Sequence, residues 1–382
     1  MRIYLDHNAT TPVRSEVADA MAATLREGFG NPSSVHAEGA AARAAVERAR
    51  ESLAALVGCT PREVLFTAGA TEANNTALGP WLQSLAGERR HVVSSNVEHP
   101  SVEEPLAALE RSGWRVTRVP VAADGLLDPA AVAAAIRPDT ALVTLLWANN
   151  ETGVVQPMAR LAELVRERGV PLHADATQCL GKLPVDLQRT GLAALSLSAH
   201  KLGGPKGVGA LVVRAEPAFE PLLRGGPQER RRRGGTENVP GIVGLGVAAA
   251  LAARELPLRA LETARLRDGL WDGIAAKIPR ARRNGSATHV LCNTLNVEFA
   301  DVAGELLLQA LDLEGIAVSA GAACASGAIE PSHVLLAMGR SPRQARAALR
   351  FSLGHGVDDG QIERVLTRLP DLVERVRAAG DA

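Results

Sequence analysis

Residues 196–207, Ser-Leu-Ser-Ala-His-Lys-Leu-Gly-Gly-Pro-Lys-Gly, form the segment with the clearest capacity for chemistry. An apolar run leads there into a glycine-rich turn, which can present Lys201 to a binding site. A lysine amine forms a Schiff base with an aldehyde cofactor, and the Ser198 hydroxyl and the His200 imidazole could hold a phosphate attached to that cofactor. A lone turn lysine is usually solvated, so the rest of the chain must decide between the two interpretations.

Asp175 stands at the end of an apolar run, in His-Ala-Asp-Ala-Thr-Gln at 173–178. A carboxylate there is costly to bury unless a cation pairs with it. A protonated pyridine nitrogen is such a cation, and keeping it charged makes the ring an electron sink for a carbanion. An exposed aspartate, or His173 and Asp175 as metal ligands, are the alternatives; metal ranks low because no third ligand is near in sequence.

Two further segments could bind a phosphate. Residues 69–75, Gly-Ala-Thr-Glu-Ala-Asn-Asn, follow an apolar run and open a helix, so backbone amides and the Thr71 hydroxyl could face an anion. Simple capping of the helix by Thr71 is the alternative. Residues 233–238, Arg-Gly-Gly-Thr-Glu-Asn, are also turn-like, although the arginine run 230–233 is typical of a solvated face.

The order of elements that must position these segments indicates an α/β fold. Helical stretches such as 37–57 alternate with short apolar runs, which predicts a mostly parallel sheet covered by helices. Seven strands are predicted, at 64–67, 91–95, 114–119, 141–147, 170–174, 194–198 and 208–213. Ligands of such sheets lie beyond the carboxyl ends of the strands, so the motifs above should converge there.

The 382 residues exceed what one hydrophobic core usually supports, which predicts a large domain and a smaller one. We place the large domain at 15–255. The smaller α+β domain takes 256–382, with the N-terminal segment 1–14 packing against it. A long helical stretch from 238 to about 278 would bridge the two domains.

Composition and charge argue against several classes of protein. Lys plus Arg and Asp plus Glu each number 42, so no global field favours nucleic acid or a membrane surface. No signal peptide or membrane span is evident, and a cytoplasmic location is expected. The four cysteines, at 59, 179, 292 and 324, form no C-x-x-C pair, which argues against a disulfide framework and against a zinc site.

An ordered series of motifs, taken together, resembles the cysteine desulfurases of the iron-sulfur-cluster and nitrogenase-maturation type. The motifs lie at 4–12, 29–34, 69–75, 98–102, 149–153, 173–178, 198–207, 233–238, 324, 331–334 and 350–354. The resemblance implies a pyridoxal-phosphate-dependent transferase of fold type I, like aspartate aminotransferase. It also implies a homodimer whose active site lies at the subunit interface.

Roles for individual residues follow from the same resemblance. It implies Lys201 as the Schiff-base lysine, Asp175 on the pyridine nitrogen, Gln178 on the ring hydroxyl and His99 stacked on the ring. The general base stays open, and His99 is the residue that we favour for proton transfer. Further cofactor and substrate contacts are implied for Ala70, Thr71, Ser198 and His200 at the phosphate, Thr236 at the partner subunit's cofactor, and Arg350 with Asn150 at the substrate carboxylate.

Cys324, in a stretch of small residues at 319–327, would be the nucleophile. The implied reaction takes sulfur from L-cysteine, releases L-alanine and leaves a persulfide on Cys324 for an acceptor protein, such as an iron-sulfur scaffold or a thiolation enzyme. Only a thiolate is an adequate nucleophile for this step. A buried structural cysteine is the alternative, and it is the interpretation preferred for Cys59, Cys179 and Cys292.

Other functions of the same fold stay open at this point. An aminotransferase or a selenocysteine lyase would need Lys201 and Asp175, and an aminotransferase would not need Cys324. A non-catalytic assembly protein could keep the cofactor pocket without turning over any amino acid.

Overall fold

The computed structural model describes residues 2–214, 218–320 and 330–380. The helices of these ranges are α1 Ser15–Glu27, α2 Ala37–Val57, α3 Ala70–Thr76, α4 Leu82–Ala86, α5 Pro100–Arg111, α6 Pro129–Ala135, α7 Met158–Glu167, α8 Leu187–Thr190, α9 Gln228–Arg231, α10 Val239–Lys277, α11 Gly304–Leu313, α12 His333–Ala337, α13 Pro342–Arg346 and α14 Asp359–Gly380. The strands are β1 Ile3–Tyr4, β2 Val64–Thr67, β3 His91–Ser95, β4 Arg115–Val119, β5 Thr140–Leu146, β6 Leu172–Asp175, β7 Ala194–Ser198, β8 Gly209–Val213, β9 Ala281–Asn284, β10 Thr294–Phe299, β11 Ile316–Ala317 and β12 Ala348–Ser352.

Seven of these strands form one sheet in the order β2-β8-β7-β6-β5-β3-β4. Strand β8 runs antiparallel to both of its neighbours, and the other adjacent pairs are parallel. The predicted α/β class with a mostly parallel seven-stranded sheet is therefore confirmed. Each predicted strand lies within two residues of an observed one.

Helices cover both faces of this sheet because neighbouring residues on a strand point to opposite sides. Val93, Val143 and Val212 belong to the core that contains α2, α7 and the first part of α10. Their neighbours Val92 and Leu142 belong to the core on the other face, with α3, α4 and α5.

A second apolar core forms around the three-stranded antiparallel sheet β12-β10-β9. Helix α10 contributes to the large core up to Ala252 and to this second core from Leu266 onward. The predicted domain boundary at 255/256 lies within that interval and stays a prediction. Ile3 and Leu5 also belong to the second core, and β1 pairs with β11.

Helix α10 is apolar enough over its length to pass for a membrane span by composition. However, 56 % of its most apolar window of 18 residues is buried inside the protein. It is the core helix that connects the two apolar clusters.

The arginine run 230–233 lies on a strained turn. Glu229, Arg230 and Arg231 have φ values of 46°, 58° and 67°, a left-handed conformation that costs energy for residues other than glycine. Buried Glu229 accepts hydrogen bonds from the Arg50 guanidinium at 2.8 and 2.9 Å and from the Phe66 backbone amide at 3.0 Å. These contacts fix the turn that leads to residues 233–238.

Candidate active site

The carboxyl ends of β2, β3, β5, β6 and β7 point to the same edge of the sheet, because these strands share one direction. A cavity of about 630 Å³ opens at this edge. Nine of the predicted site residues line it: Ala70, Thr71, His99, Asn150, Asp175, Gln178, Ser198, His200 and Lys201. The structure therefore brings together side chains that are up to 131 positions apart in the chain.

Lys201 ends a short 3-10 turn, Ala199–Lys201, that follows β7 directly. Its Nζ donates hydrogen bonds to the backbone oxygens of Asn8 at 2.5 Å and Ala9 at 2.8 Å. Burial lowers the pKa of the Lys201 amine to about 8, and the positive charge of Arg350 adds to this shift. The amine is thus partly unprotonated, and therefore nucleophilic, near neutral pH.

Asp175 is the last residue of β6, and its carboxylate is buried without an ion pair among the described residues. One oxygen, Oδ1, accepts hydrogen bonds from the Thr177 backbone amide at 3.0 Å and hydroxyl at 2.5 Å. The other, Oδ2, accepts from Asn74 Nδ2 at 2.8 Å. A buried carboxylate that faces a cavity and lacks a cation is suited to a cationic group of a ligand.

His99 caps the N-terminus of α5 and stands at the wall of the cavity. Its Nδ1 accepts a hydrogen bond from the Ser101 backbone amide at 3.1 Å and lies 2.8 Å from Ser101 Oγ. Ser101 Oγ in turn accepts from Asn74 Nδ2 at 2.9 Å. Partial burial lowers the pKa of His99; Lys201 adds to this effect and Asp175 opposes it.

His173, the alternative partner of Asp175 at a metal site, has both ring nitrogens in hydrogen bonds. Its Nδ1 and Nε2 lie 2.9 Å from the hydroxyls of Thr144 and Ser196, which are on the two neighbouring strands. Burial lowers the pKa of the ring to about 4. Within the described ranges, no three His, Cys, Asp or Glu side chains are grouped to hold a metal ion.

Known proteins are similar to this chain in sequence and in the arrangement of helices and strands. The aminotransferase class-V family profile matches residues 3–365. A cysteine desulfurase of Cereibacter sphaeroides is 49% identical over an alignment of 383 positions, which covers 99% of this chain and 97% of that protein. The chain belongs to the cysteine desulfurases of the aminotransferase class-V family.

Solved structures agree with this assignment. A NifS-like protein has a TM-score of 0.92 and 35% identity, covering 98% of this chain and all of that one. SspA in complex with cysteine has a TM-score of 0.82 and 37% identity, covering 92% of this chain and 99% of that one. The resemblance stated from the motifs is confirmed, and so is the fold that it implies.

In this family member the orientation of Gln178 is fixed by buried partners. Its Oε1 accepts from Lys182 Nζ at 2.6 Å, and its Nε2 donates to the Asn8 backbone oxygen at 2.9 Å. Lys182 Nζ also donates to Asn8 Oδ1 at 3.1 Å. Burial lowers the pKa of Lys182 to about 7, with Lys201 adding to the shift. The second hydrogen on Gln178 Nε2 is the one that can point at the contents of the cavity.

Arg350 does not line the cavity itself but is joined to it through Asn150. The arginine is buried on β12, and its Nη1 donates to the Asn150 backbone oxygen at 3.0 Å. Its Nη2 pairs with Asp6 Oδ1 at 2.6 Å, while its Nε has no partner among the described residues. Because this Nε is buried, a substrate carboxylate would have to share the guanidinium with Asp6 or displace it.

Two predicted residues remain, Thr236 and Cys324. Thr236 is exposed and does not contribute to the wall within this chain. Cys324 lies outside the described residues. Ser319, which pairs its backbone with Arg350 at 2.7 and 3.1 Å, precedes Cys324 by five residues.

The polar support of the site was not predicted from the sequence. Asn74, Ser101, Asn8 and Lys182 each bond to a residue that lines the cavity, yet no role was assigned to them. Three of them lie within the ordered motifs, at 4–12, 69–75 and 98–102. A polar residue inside one of these motifs needs a hydrogen-bond partner once it is buried. That need was the signal that could have indicated the supporting residues.

The lowered pKa of Lys201 predicts how pH controls attachment of an aldehyde cofactor to the protein without cofactor. The attacking amine must be unprotonated, so the attachment rate should rise with pH and level off above about 8. Stopped-flow absorbance over a pH series measures this rate. Nα-acetyl-lysine, which keeps a free ε-amine, is measured in the same buffers as the control for ionisation of the aldehyde cofactor. A rate that continues to climb toward the ordinary lysine pKa of 10.5 would contradict the perturbed amine.

Proposed function

We propose that this chain is a cysteine desulfurase, which takes sulfur from L-cysteine, releases L-alanine and holds the sulfur as a persulfide on Cys324. The observation that carries the proposal is the convergence of Lys201, Asp175 and His99 on one cavity. Relatives that match nearly the whole chain are cysteine desulfurases, and a structural relative was solved with cysteine bound.

The cavity fits pyridoxal 5'-phosphate, the cofactor of this family. Lys201 offers a partly unprotonated amine for the aldehyde, and buried Asp175 offers the ring nitrogen a carboxylate that has no ion pair among the described residues. Gln178 would reach the ring hydroxyl and His99 the ring face, while Ala70, Thr71, Ser198 and His200 would hold the phosphate. When bound, the cofactor supplies an electron sink for the carbanion at the substrate α-carbon.

Lys201 is the group best suited to remove the α-proton of the substrate. Burial lowers the pKa of the Lys201 amine to about 8, so an amine not held by the cofactor would be partly unprotonated near neutral pH and could accept this proton. Arg350, together with Asn150, would hold the α-carboxylate, because a guanidinium pairs with a carboxylate through two hydrogen bonds. This contact would orient the α-proton toward Lys201.

Cys324 then acts on the sulfur of the substrate. Its thiolate forms a sulfur-sulfur bond with that atom as the bond between sulfur and the β-carbon breaks. The electron pair stays with the three-carbon fragment, which takes up protons and leaves as alanine. The persulfide sulfur passes to an acceptor protein, for which iron-sulfur cluster assembly or thiolation are the proposed uses.

We place this reaction in a cytoplasmic homodimer, with Thr236 reaching the cofactor of the partner subunit. The exposed position of Thr236, five residues after the strained turn at 229–231, supports this role. Light scattering of the purified protein should give twice the mass of the chain. A monomer that retains full activity would contradict the role proposed for Thr236 at the cofactor of the partner subunit.

The experiment that tests the proposal detects the persulfide directly. The cofactor-loaded protein is given ³⁵S-labelled L-cysteine without a reductant or an acceptor, and the sulfane sulfur is then alkylated. Mass spectrometry of the digested protein should find one additional sulfur atom on the peptide that contains Cys324. Label that appears on Cys59, Cys179 or Cys292 instead would overturn the assignment of the nucleophile.

A further inference from the structure

The hydrogen bonds around His99 fix which of its ring nitrogens can carry a hydrogen. The Ser101 backbone amide can only donate, and it points at Nδ1 from 3.1 Å. Nδ1 must therefore be unprotonated. In the neutral ring the hydrogen is then on Nε2. Nδ1 can only accept hydrogen bonds, so any further group that approaches it must be a donor.

Asn74 fixes the direction of the other contact to His99. The Asp175 carboxylate accepts hydrogen bonds, so the Asn74 side chain must turn its Nδ2 toward Oδ2, at 2.8 Å. The same nitrogen donates to Ser101 Oγ at 2.9 Å. Because Ser101 Oγ accepts from Asn74, its own hydrogen is free to be donated to His99 Nδ1, 2.8 Å away.

Asn74 makes these bonds at an energetic cost. Its side chain is fully buried, and its Oδ1 has no hydrogen-bond partner among the described residues. An unsatisfied buried amide oxygen lowers the stability of the folded protein. Asn74 thus uses both hydrogens of its Nδ2 and leaves its Oδ1 unsatisfied. This pattern agrees with a role in which Asn74 serves as a hydrogen-bond donor.

We propose that Asn74 and Ser101 are positioning residues that hold His99 as a neutral ring with its hydrogen on Nε2, the nitrogen left for the cavity. The resting histidine thus presents a donor to the cavity. It can take up a proton only by giving up a bond at Nδ1, or after its Nε2 hydrogen has been passed on. The inference rests on the proposed function in one respect, that His99 acts at this cavity.

The same network connects Asp175 to His99. Asn74 donates to both the Asp175 carboxylate and Ser101, so a change in charge at Asp175 alters the hydrogen bonding at Nδ1. The other ionisable groups that act on the ring are Lys201, His333 and Glu151. Burial lowers the pKa of His99, in agreement with a ring whose neutral form receives two hydrogen bonds.

The test uses nitrogen NMR of the protein without cofactor, labelled with ¹⁵N-histidine. The chain has nine histidines, and the resonances missing in a His99→Gln variant assign the pair from His99. We expect Nδ1 in the unprotonated range and Nε2 with a directly bonded hydrogen, and a His99 pKa below the ordinary value of 6.5. A hydrogen on Nδ1, or rapid exchange between the two forms, would overturn the proposal.

Two variants then test the positioning residues separately. Ser101→Ala removes one donor to Nδ1, and Asn74→Asp reverses the polarity of the group that holds the serine hydroxyl. Both should raise the pKa of His99, by about one unit for Asn74→Asp, because the neutral ring loses stabilisation.

The matched control is Asn75→Asp, which adds the same charge one position further along. Its parent side chain bonds to the Thr71 backbone oxygen, outside the network. This control should shift the His99 pKa much less than Asn74→Asp does. Equal shifts would show that charge alone, and not the network, acts on His99. Since no substrate or cofactor is present, a failure of the desulfurase assignment cannot be mistaken for a failure of this proposal.

Discussion

The variant Cys324→Ala should release no alanine from L-cysteine and form no persulfide, while it binds pyridoxal phosphate with the same absorbance as the wild type. The physical reason is that no other cysteine can substitute. Burial raises the pKa of Cys59 to about 12 and also raises the pKa values of Cys179 and Cys292. These thiols remain protonated at neutral pH and are poor nucleophiles.

Cys59→Ala is the matched control for that experiment, since Cys59 lies beyond the end of α2 and does not line the cavity. It should turn over cysteine at the wild-type rate. Both variants are assayed for alanine and sulfide under reducing conditions. If Cys324→Ala still turned over L-cysteine, Cys324 would not be the nucleophile. Only the cofactor chemistry of the proposal would then stand.

The variant Lys201→Ala should lose about 10⁴-fold in turnover, the upper end of what a positioned proton-transfer group contributes. The expected loss is large because one amine both holds the cofactor and moves the α-proton. The variant should still take up pyridoxal phosphate through the remaining polar groups of the cavity. Borohydride should no longer fix the cofactor to the chain, and mass spectrometry of the reduced protein measures this.

Lys277→Ala serves as the lysine control, because Lys277 is at the exposed end of α10 and far in sequence from the site. Borohydride should fix one cofactor per chain in this variant, as in the wild type. If the cofactor were fixed equally well in Lys201→Ala, another lysine would be the attachment point. Lys206, which also lines the cavity, would be the next residue to replace.

The large sheet could be predicted from the sequence because six of its seven strands, all except the edge strand β4, are buried on both faces. Such strands appear as short apolar runs bounded by turns, and 64–67, 91–95 and 194–198 were located without error. The site followed from topology, since polar segments after parallel strands meet at one edge of the sheet. Lys201, Asp175 and His99 share a cavity for that reason.

The long-range polar contacts could not be predicted in this way. Asn74 bonds to Asp175 across 101 positions, and Arg350 bonds to Asp6 across 344. Local patterns carry no information on such pairs, because the partners come together only when the chain has folded. The left-handed backbone at 229–231 was also not indicated, since no glycine or asparagine marks it.

The most direct test of the proposed function measures alanine and sulfide released from L-cysteine by the purified protein, loaded with pyridoxal phosphate, under reducing conditions. The proposal predicts equal amounts of the two products, formed over many turnovers. Cofactor-bound protein that releases no alanine would contradict it and would indicate another substrate or a non-catalytic role.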